Sequence, residues 1–245
     1  MIVTLLFWND ADHRNLIIPL EHPNPEDIIM DKKEQVAKEA LSFIVQGNVV
    51  GLGSGTTASQ FIKILGKSGL KDKIVGVATS LNSDKLAREV GLRTVDIDSV
   101  DWIDVTVDGA DEVDKDLNIL KGGGGHLTRE KKVRNKSKNY VIIVSDEKIV
   151  TRLAEKFPIP VEVLPFGHKT TLKELESIGM SCKFREDFIT DNGNMICDCK
   201  PLEKFDLQNL HFRMKEIAGV VETGLFLGGE KTVLVSNGEK VEVLK

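Results

Sequence analysis

Between Lys121 and Lys131 the chain reads Lys-Gly-Gly-Gly-Gly-His-Leu-Thr-Arg-Glu-Lys, a set of residue types and spacings suited to chemistry. Glycine costs about 0.5–1 kcal/mol relative to alanine in a regular element. A run from Gly122 to Gly125 therefore serves backbone that bends freely and comes close to something. Lys121 brings a cation to one side. Glu130 follows where the pattern already predicts helix. A cation, a loop rich in N–H donors and a carboxylate suit an anionic substrate that must lose a proton. Taken alone, Glu130 fits a surface acid that complements a helix dipole in its first turns better than it fits a base.

Two further loops carry polar groups at the ends of predicted strands. Gly53-Ser54-Gly55-Thr56-Thr57 stands between a strand and a helix. Its small residues let N–H groups face an anion at a helix N-terminus, and the same residues also make a tight turn with hydroxyl caps. Thr56 stands where a dinucleotide fingerprint needs its third glycine, and no Walker lysine is present. Asp108-Gly109-Ala110-Asp111-Glu112-Val113-Asp114 follows the predicted strand 103–107, at the carboxyl edge where open α/β sheets bind ligands. Three readings fit it: a solvated acidic turn, a magnesium site, or sugar hydroxyls bonded to Asp108 and Asp111 across Gly109-Ala110. The metal reading is the weaker one, because Lys121 competes with a cation.

The elements that must hold these loops follow from hydrophobic period. A helix is expected from Asp31, with Val36, Ala40, Leu41 and Ile44 on one stripe. Val49–Leu52 reads as a buried strand. The next helix turns Ala58, Phe61, Ile62 and Leu65 inward. Strands are expected at 73–79, 93–97, 103–107 and 140–144, with a helix capped by Asn82 or Ser83 running through Leu86 and Val90. Near-continuous apolar strands alternating with amphipathic helices indicate a parallel sheet covered on both faces. From Pro158 the pattern changes to α+β: a strand, a helix at 172–178, strands around 183–188 and 195–199, and a helix at 207–216. Asp191-Asn192-Gly193-Asn194 reads as a hairpin turn. Leu225–Leu227 and Thr232–Val235 return to sheet strands, with a closing hairpin at Asn237-Gly238. The expected fold class is α/β: a Rossmann-like parallel-sheet domain (31–157 and 225–245) with an inserted smaller α+β domain (158–224). Residues 1–30 read as an N-terminal extension, one strand and then irregular chain.

Composition narrows the function classes. The chain has 245 residues, 41% hydrophobic and 29% charged, with a net charge of −5. That balance argues against nucleic acid as the main partner. The local run Arg129, Lys131, Lys132, Arg134, Lys136 and Lys138 reads as a solvated helix face. No apolar stretch approaches the ~20 residues of a membrane span. The apolar start lacks a basic segment and a cleavage site, so no signal peptide is expected. Cys182, Cys197 and Cys199 read as free thiols in a reducing cytosol. Cys197 and Cys199 share a strand face, but their spacing is not that of a zinc site. The five histidines are scattered. No metal is expected.

Taken together, the three loops resemble ribose-5-phosphate isomerase of type A. The resemblance rests on Gly-Leu-Gly-Ser-Gly-Thr-Thr at 51–57, Asp-Gly-Ala-Asp-Glu at 108–112, and Lys-Gly-Gly-Gly-Gly at 121–125 with Leu-Thr-Arg-Glu-Lys at 127–131. Phe157–Val163, Thr190–Asn194 and Gly219–Phe226 extend it, in the same order, over about residues 31–245. The resemblance implies a Rossmann-like domain with a small ferredoxin-like domain, and a cytoplasmic homodimer or homotetramer without metal or organic cofactor. It implies interconversion of D-ribose 5-phosphate and D-ribulose 5-phosphate through an enediolate, in the non-oxidative pentose phosphate pathway. It makes Glu130 the base and gives Lys121 and the amides of Gly122, Gly123 and Gly124 the enediolate. Asp108 and Asp111, beside Gly109 and Ala110, would bind hydroxyls and assist ring opening. Ser54, Gly55, Thr56 and Thr57 match the first substrate-binding loop, and Lys148 matches a substrate-binding lysine.

His126 departs from the family pattern, which commonly has alanine there. Its ring either narrows the site or points outward. A non-catalytic sugar-phosphate sensor on a related fold is the competing class. Such a protein could lose the base and would carry a DNA-binding module, whereas Lys121 and Glu130 are both present and residues 1–30 lack the length and basic charge. A sugar-phosphate lactonase or deaminase would need a histidine-centred constellation that the sequence does not supply.

Overall fold

The structure is a computed structural model that describes residues 25–245. The strand expected near the chain start lies outside the described residues. Helix α1 (Pro25–Glu39) begins six residues before the expected Asp31. Proline suits the first helical position, where an N–H would have no intrahelical partner. Of the expected stripe, Val36 and Ala40 are fully buried, Ile44 nearly so and Leu41 partly, but α1 ends at Glu39 and a 3-10 turn (Ala40–Phe43) carries the chain on to Ile44.

Strand β1 (Val49–Leu52), α2 (Gly55–Lys67), β2 (Val75–Ala78) and α3 (Leu81–Glu89) follow as the alternation of patterns predicts. Ser80, rather than Asn82 or Ser83, caps α3, and its hydroxyl accepts from the Ser83 amide. The strand expected at 93–97 shrinks to one parallel bridge, Gly76 to Thr94. Asp96 then accepts from the Asp98 amide and turns the chain, the local competition that short acids offer to a ladder. Next come β3 (Ile103–Asp108), the short β4 (Glu112–Val113) and β5 (Ile119–Leu120), α4 (Leu127–Asn135) and the long β6 (Ser137–Ser145).

The change of pattern at Pro158 opens β7 (Ile159–Val163), α5 (His168–Ser177), β8 (Met180–Phe184), β9 (Met195–Pro201), α6 (Leu207–Lys215) and β10 (Val220–Thr223). The strand expected at 183–188 sits earlier. Asp187 takes a left-handed φ of 49°, so the chain leaves the sheet there, and residues 185–194 form a long connection. β8 and β9 are antiparallel neighbours as the hairpin reading requires. β11 (Leu225–Phe226), β12 (Thr232–Ser236) and β13 (Val241–Leu244) close the chain, the last two antiparallel.

The main sheet runs β13-β12-β6-β3-β1-β2 and is parallel except for β13. β1 has its sequence successor β2 on one side and β3 on the other, so strand order reverses beside it. That is the crevice where open α/β sheets take ligands. α1, α2 and α3 pack one core against this sheet, and β4, β5 and α4 lie over the other face. The second sheet, β10-β7-β9-β8, is wholly antiparallel and has its own core with α5 and α6. The third is β11-β5-β4, and Lys121 directly follows its middle strand β5.

The expectation of three free thiols is corrected. Cys182 and Cys199 stand directly opposite across β8 and β9 and form a disulfide, leaving Cys197 as a free, buried thiol. Strand register makes the pairing, and register is not visible in the spacing.

Candidate active site

Asp108 is the last residue of β3 and fully buried. Its Oδ1 accepts from the amides of Ser54 (3.0 Å) and Gly109 (2.8 Å), which joins the ends of β1 and β3. Gly53 makes this approach possible: a Cβ there would lie 2.6 Å from the Asp108 Cα and 2.2 Å from its Oδ1.

Lys121, 3% exposed, sends its ammonium between two carboxylates. Nζ lies 3.1 Å from Asp108 Oδ2 and 3.2 Å from Glu130 Oε1, and it donates to the Gly109 carbonyl. Burial works against its charge, but Asp108 and Glu130 outweigh burial and raise its pKa. The Lys121 backbone is fixed by its amide on the Gly224 carbonyl at 2.9 Å.

Glu130 occupies the first turn of α4 and is 4% exposed. Burial raises its carboxyl to about 8; Lys121 pulls it down and Asp108 pushes it up. One oxygen faces Lys121, and Oε2 is buried without a hydrogen-bond partner. Burial likewise raises the Asp108 carboxyl, with Lys121 opposing. Two carboxylates share one ammonium, so one more proton is readily taken up.

The glycine run arches over this triad. Asp111 Oδ2 accepts from the Gly123 amide at 2.7 Å, and the Gly125 amide closes a turn on the Gly122 carbonyl at 2.9 Å. His126 occupies the N-cap position of α4 without a side-chain capping bond, and its Nδ1 lies 3.4 Å from Asp191 Oδ2. Burial lowers its pKa against the pull of Asp191. The ring therefore forms part of the wall and leans toward the 190–194 turn.

A cavity of about 180 Å³ collects these groups. Ser54, Gly55, Thr56, Thr57, Gly109, Ala110, Asp111, Lys121, Gly122, Gly123, Gly124, Glu130 and Lys148 all line it. Asp108 lies behind, reached through Lys121. The Ser54 hydroxyl turns inward to Thr79, Ser80 and Ser83, so this loop offers the hydroxyls of Thr56 and Thr57 and the N-terminus of α2. Lys148 comes from the turn after β6. Sequence reasoning missed Lys33 and Glu147. Lys33 of α1 donates to Thr56 Oγ1 at 3.0 Å. It lies 23 residues from Thr56 on an ordinary lysine-rich helix, and no local signal marks it.

The acidic loop does not converge on a metal. Glu112 accepts from the amides of Ala154, Lys156 and Phe157, and Asp114 from those of Asp116 and Asn118. Among the described residues, metal-ligating side chains gather only at Cys182, Cys197 and Cys199, with sulfurs within 4.8 Å, two of them bonded to each other.

A parallel sheet with a buried, lysine-bridged carboxylate pair at its switch point defines an α/β protein built for proton transfer on a small anionic molecule. Comparison with known proteins makes the assignment specific. The family model for ribose 5-phosphate isomerase A (phosphoriboisomerase A) matches residues 75–240. Ribose-5-phosphate isomerase A of Pyrococcus abyssi is 40% identical over 226 residues, covering 89% of this chain and 99% of the relative. That of Methanococcus aeolicus is 43% identical over 227 residues, covering 88% and 95%. Among solved structures, ribose 5-phosphate isomerase A from Methanocaldococcus jannaschii superposes with a TM-score of 0.84 at 37% identity, covering 88% of this chain and 99% of that one. A D-ribose-5-phosphate isomerase in complex with phospho-erythronic acid gives 0.84 at 38% identity, covering 89% and 99%. The chain belongs to the ribose 5-phosphate isomerase A family.

Proposed function

We propose that this protein interconverts D-ribose 5-phosphate and D-ribulose 5-phosphate in the cavity at the ends of β1, β3 and β6, with Glu130 as proton carrier. The observation that carries this reading is the partnerless buried oxygen of Glu130, beside the Lys121 ammonium and the glycine loop. In the open-chain aldose the C2 proton passes to Glu130 while the electron pair moves onto the carbonyl oxygen at C1. Lys121 and the amides of Gly122 and Gly124 stabilise that oxyanion, the Gly123 amide being held by Asp111. Glu130 returns the proton to C1, and the O2 hydroxyl proton moves to the C1 oxyanion, so that O1 becomes a hydroxyl as the C2 ketone forms. The raised pKa supports a role that needs both protonation states near neutral pH.

Asp111 holds sugar hydroxyls and assists ring opening, while Asp108, buried behind Lys121, acts through that ammonium. Lys33, Lys148, Thr56, Thr57 and the start of α2 hold the phosphate, since cations, hydroxyls and helix amides all suit an anion. The sugar is held without metal or organic cofactor. Residues 31–157 with 225–245 form the catalytic domain, and 158–224 form the smaller one. A homodimer or homotetramer in the cytoplasm completes the reading. What supports the cytoplasm is the charged substrate, which does not cross membranes unaided; the free-thiol argument falls with the Cys182–Cys199 bond. Nucleic acid and membrane are not partners, and no described helix is long and apolar enough to cross a membrane.

The test is conversion of ribose 5-phosphate by purified, metal-free protein, with and without residues 1–30. Ketose formation by both supports the reading. No conversion by the full chain overturns it.

A further inference from the structure

We propose that Arg185, from the antiparallel unit, is the positioning residue that orients the oxyanion-binding amides of the glycine loop. The inference rests on the isomerase reading above. Arg185 follows β8 and is anchored by Asp198 of β9, with Nε to Oδ2 at 2.7 Å and Nη2 to Oδ1 at 2.8 Å. Two hydrogens of the same guanidinium reach the glycine run. Nη1 donates to the Gly123 carbonyl at 2.9 Å and Nη2 to the Gly122 carbonyl at 3.1 Å. A trans peptide points its N–H opposite to its C=O, and no described peptide is cis. Drawing these two carbonyls toward Arg185 turns the amides of Gly123 and Gly124 toward the cavity. The Gly123 amide meets Asp111 there. The Gly124 amide is left for a ligand.

The neighbouring side chain reinforces the hold. Phe188 lies under the Arg185 guanidinium, 5.6 Å from ring centroid to Cζ. Its ring also packs on Gly125, so closely that a Cβ there would sit 2.3 Å from Phe188 Cζ. The connection after β8 thus grips the loop at three positions, the carbonyls of 122 and 123 and the Cα of 125. Four glycines have no rotamer or packing preference of their own to set these peptide planes. A fixed fork of donors does so, and arginine offers that geometry where lysine does not. Arg185 itself does not line the cavity, so it acts through the amides.

The test compares Arg185→Gln, Arg185→Lys and Asp198→Asn with the wild-type chain. Losing a single oxyanion donor typically costs 10²–10³-fold in turnover. Misorienting the amides while keeping them should lower kcat of Arg185→Gln about 10- to 100-fold, with the KM for ribose 5-phosphate within about threefold. Phospho-erythronic acid carries a carboxylate where the enediolate charge develops, so its affinity should fall in parallel with kcat. Lysine should restore only part of the loss, and added guanidinium should raise the kcat of Arg185→Gln at unchanged thermal midpoint. Asp198→Asn leaves the fork in place but loosens its anchor, and should give a smaller loss of the same kind. It keeps the test open if Arg185→Gln does not fold. A folded Arg185→Gln with wild-type kcat overturns the proposal. So does a loss confined to KM, or a loss of kcat with unchanged affinity for phospho-erythronic acid. Wild-type turnover bears on the isomerase reading alone, so the two failures are distinguishable.

Discussion

Lowering the pH should titrate the base out of the site. Burial raises the Glu130 carboxyl to about 8, against the pull of Lys121. Only the carboxylate can accept the C2 proton. Because kcat/KM reports the free protein, it should fall about tenfold per pH unit below about 8, reaching roughly one hundredth of its plateau near pH 6. The substrate phosphate takes up its second proton only near pH 6, so the limb between 6 and 8 belongs to the protein. Initial rates of ketose formation at constant ionic strength measure it. A profile flat from pH 8 to 6 refutes the reasoning. The same shift sets a stability trend. Between the ordinary value of 4.5 and about 8 the folded state holds more of this proton than the unfolded chain. The stabilisation is therefore complete below 4.5 and is lost as pH rises through about 8. Urea titrations of the wild type and Glu130→Gln should diverge with that sign.

Lys121→Met leaves two buried carboxylates without their ammonium. Removal of one partner of a buried pair costs about 3–5 kcal/mol, readable by denaturant titration, and the acid limb should move to higher pH. Gly125→Ala places a Cβ at φ +76° against the Phe188 ring. It should cost about 1–2 kcal/mol from the left-handed backbone alone and lower kcat, measured by thermal melting and steady-state rates. Chelator treatment should leave turnover unchanged, because the Lys121 ammonium already stands between Asp108 and Glu130; a large loss would revive the metal reading of the acidic loop.

Much of this arrangement was legible in the chain. The near-continuous apolar runs at 49–52, 103–107 and 140–144 are parallel strands because only a sheet buried on both faces wants them. Loops at their carboxyl ends then had to meet. What stayed hidden depends on register and long-range approach. Cys182 meets Cys199 only through the β8–β9 ladder. Lys33 reaches Thr56 from a helix whose pattern reports only its buried stripe. Arg185 reads as one more surface charge until the connection after β8 folds back onto Gly122 and Gly123. The strand expected at 93–97 failed because the turn chemistry of Asp96 overrode a short apolar run. Glu130 was ambiguous by itself. Its burial beside Lys121 removes the surface reading, since an exposed dipole-complementing acid would not be 4% accessible.

The central claim is that Glu130 carries the proton between C2 and C1. Glu130→Gln keeps the shape and removes the base. The account predicts a folded protein whose KM for ribose 5-phosphate stays within about threefold while turnover drops by about 10²–10⁴. Near wild-type conversion of ribose 5-phosphate by that variant would contradict it.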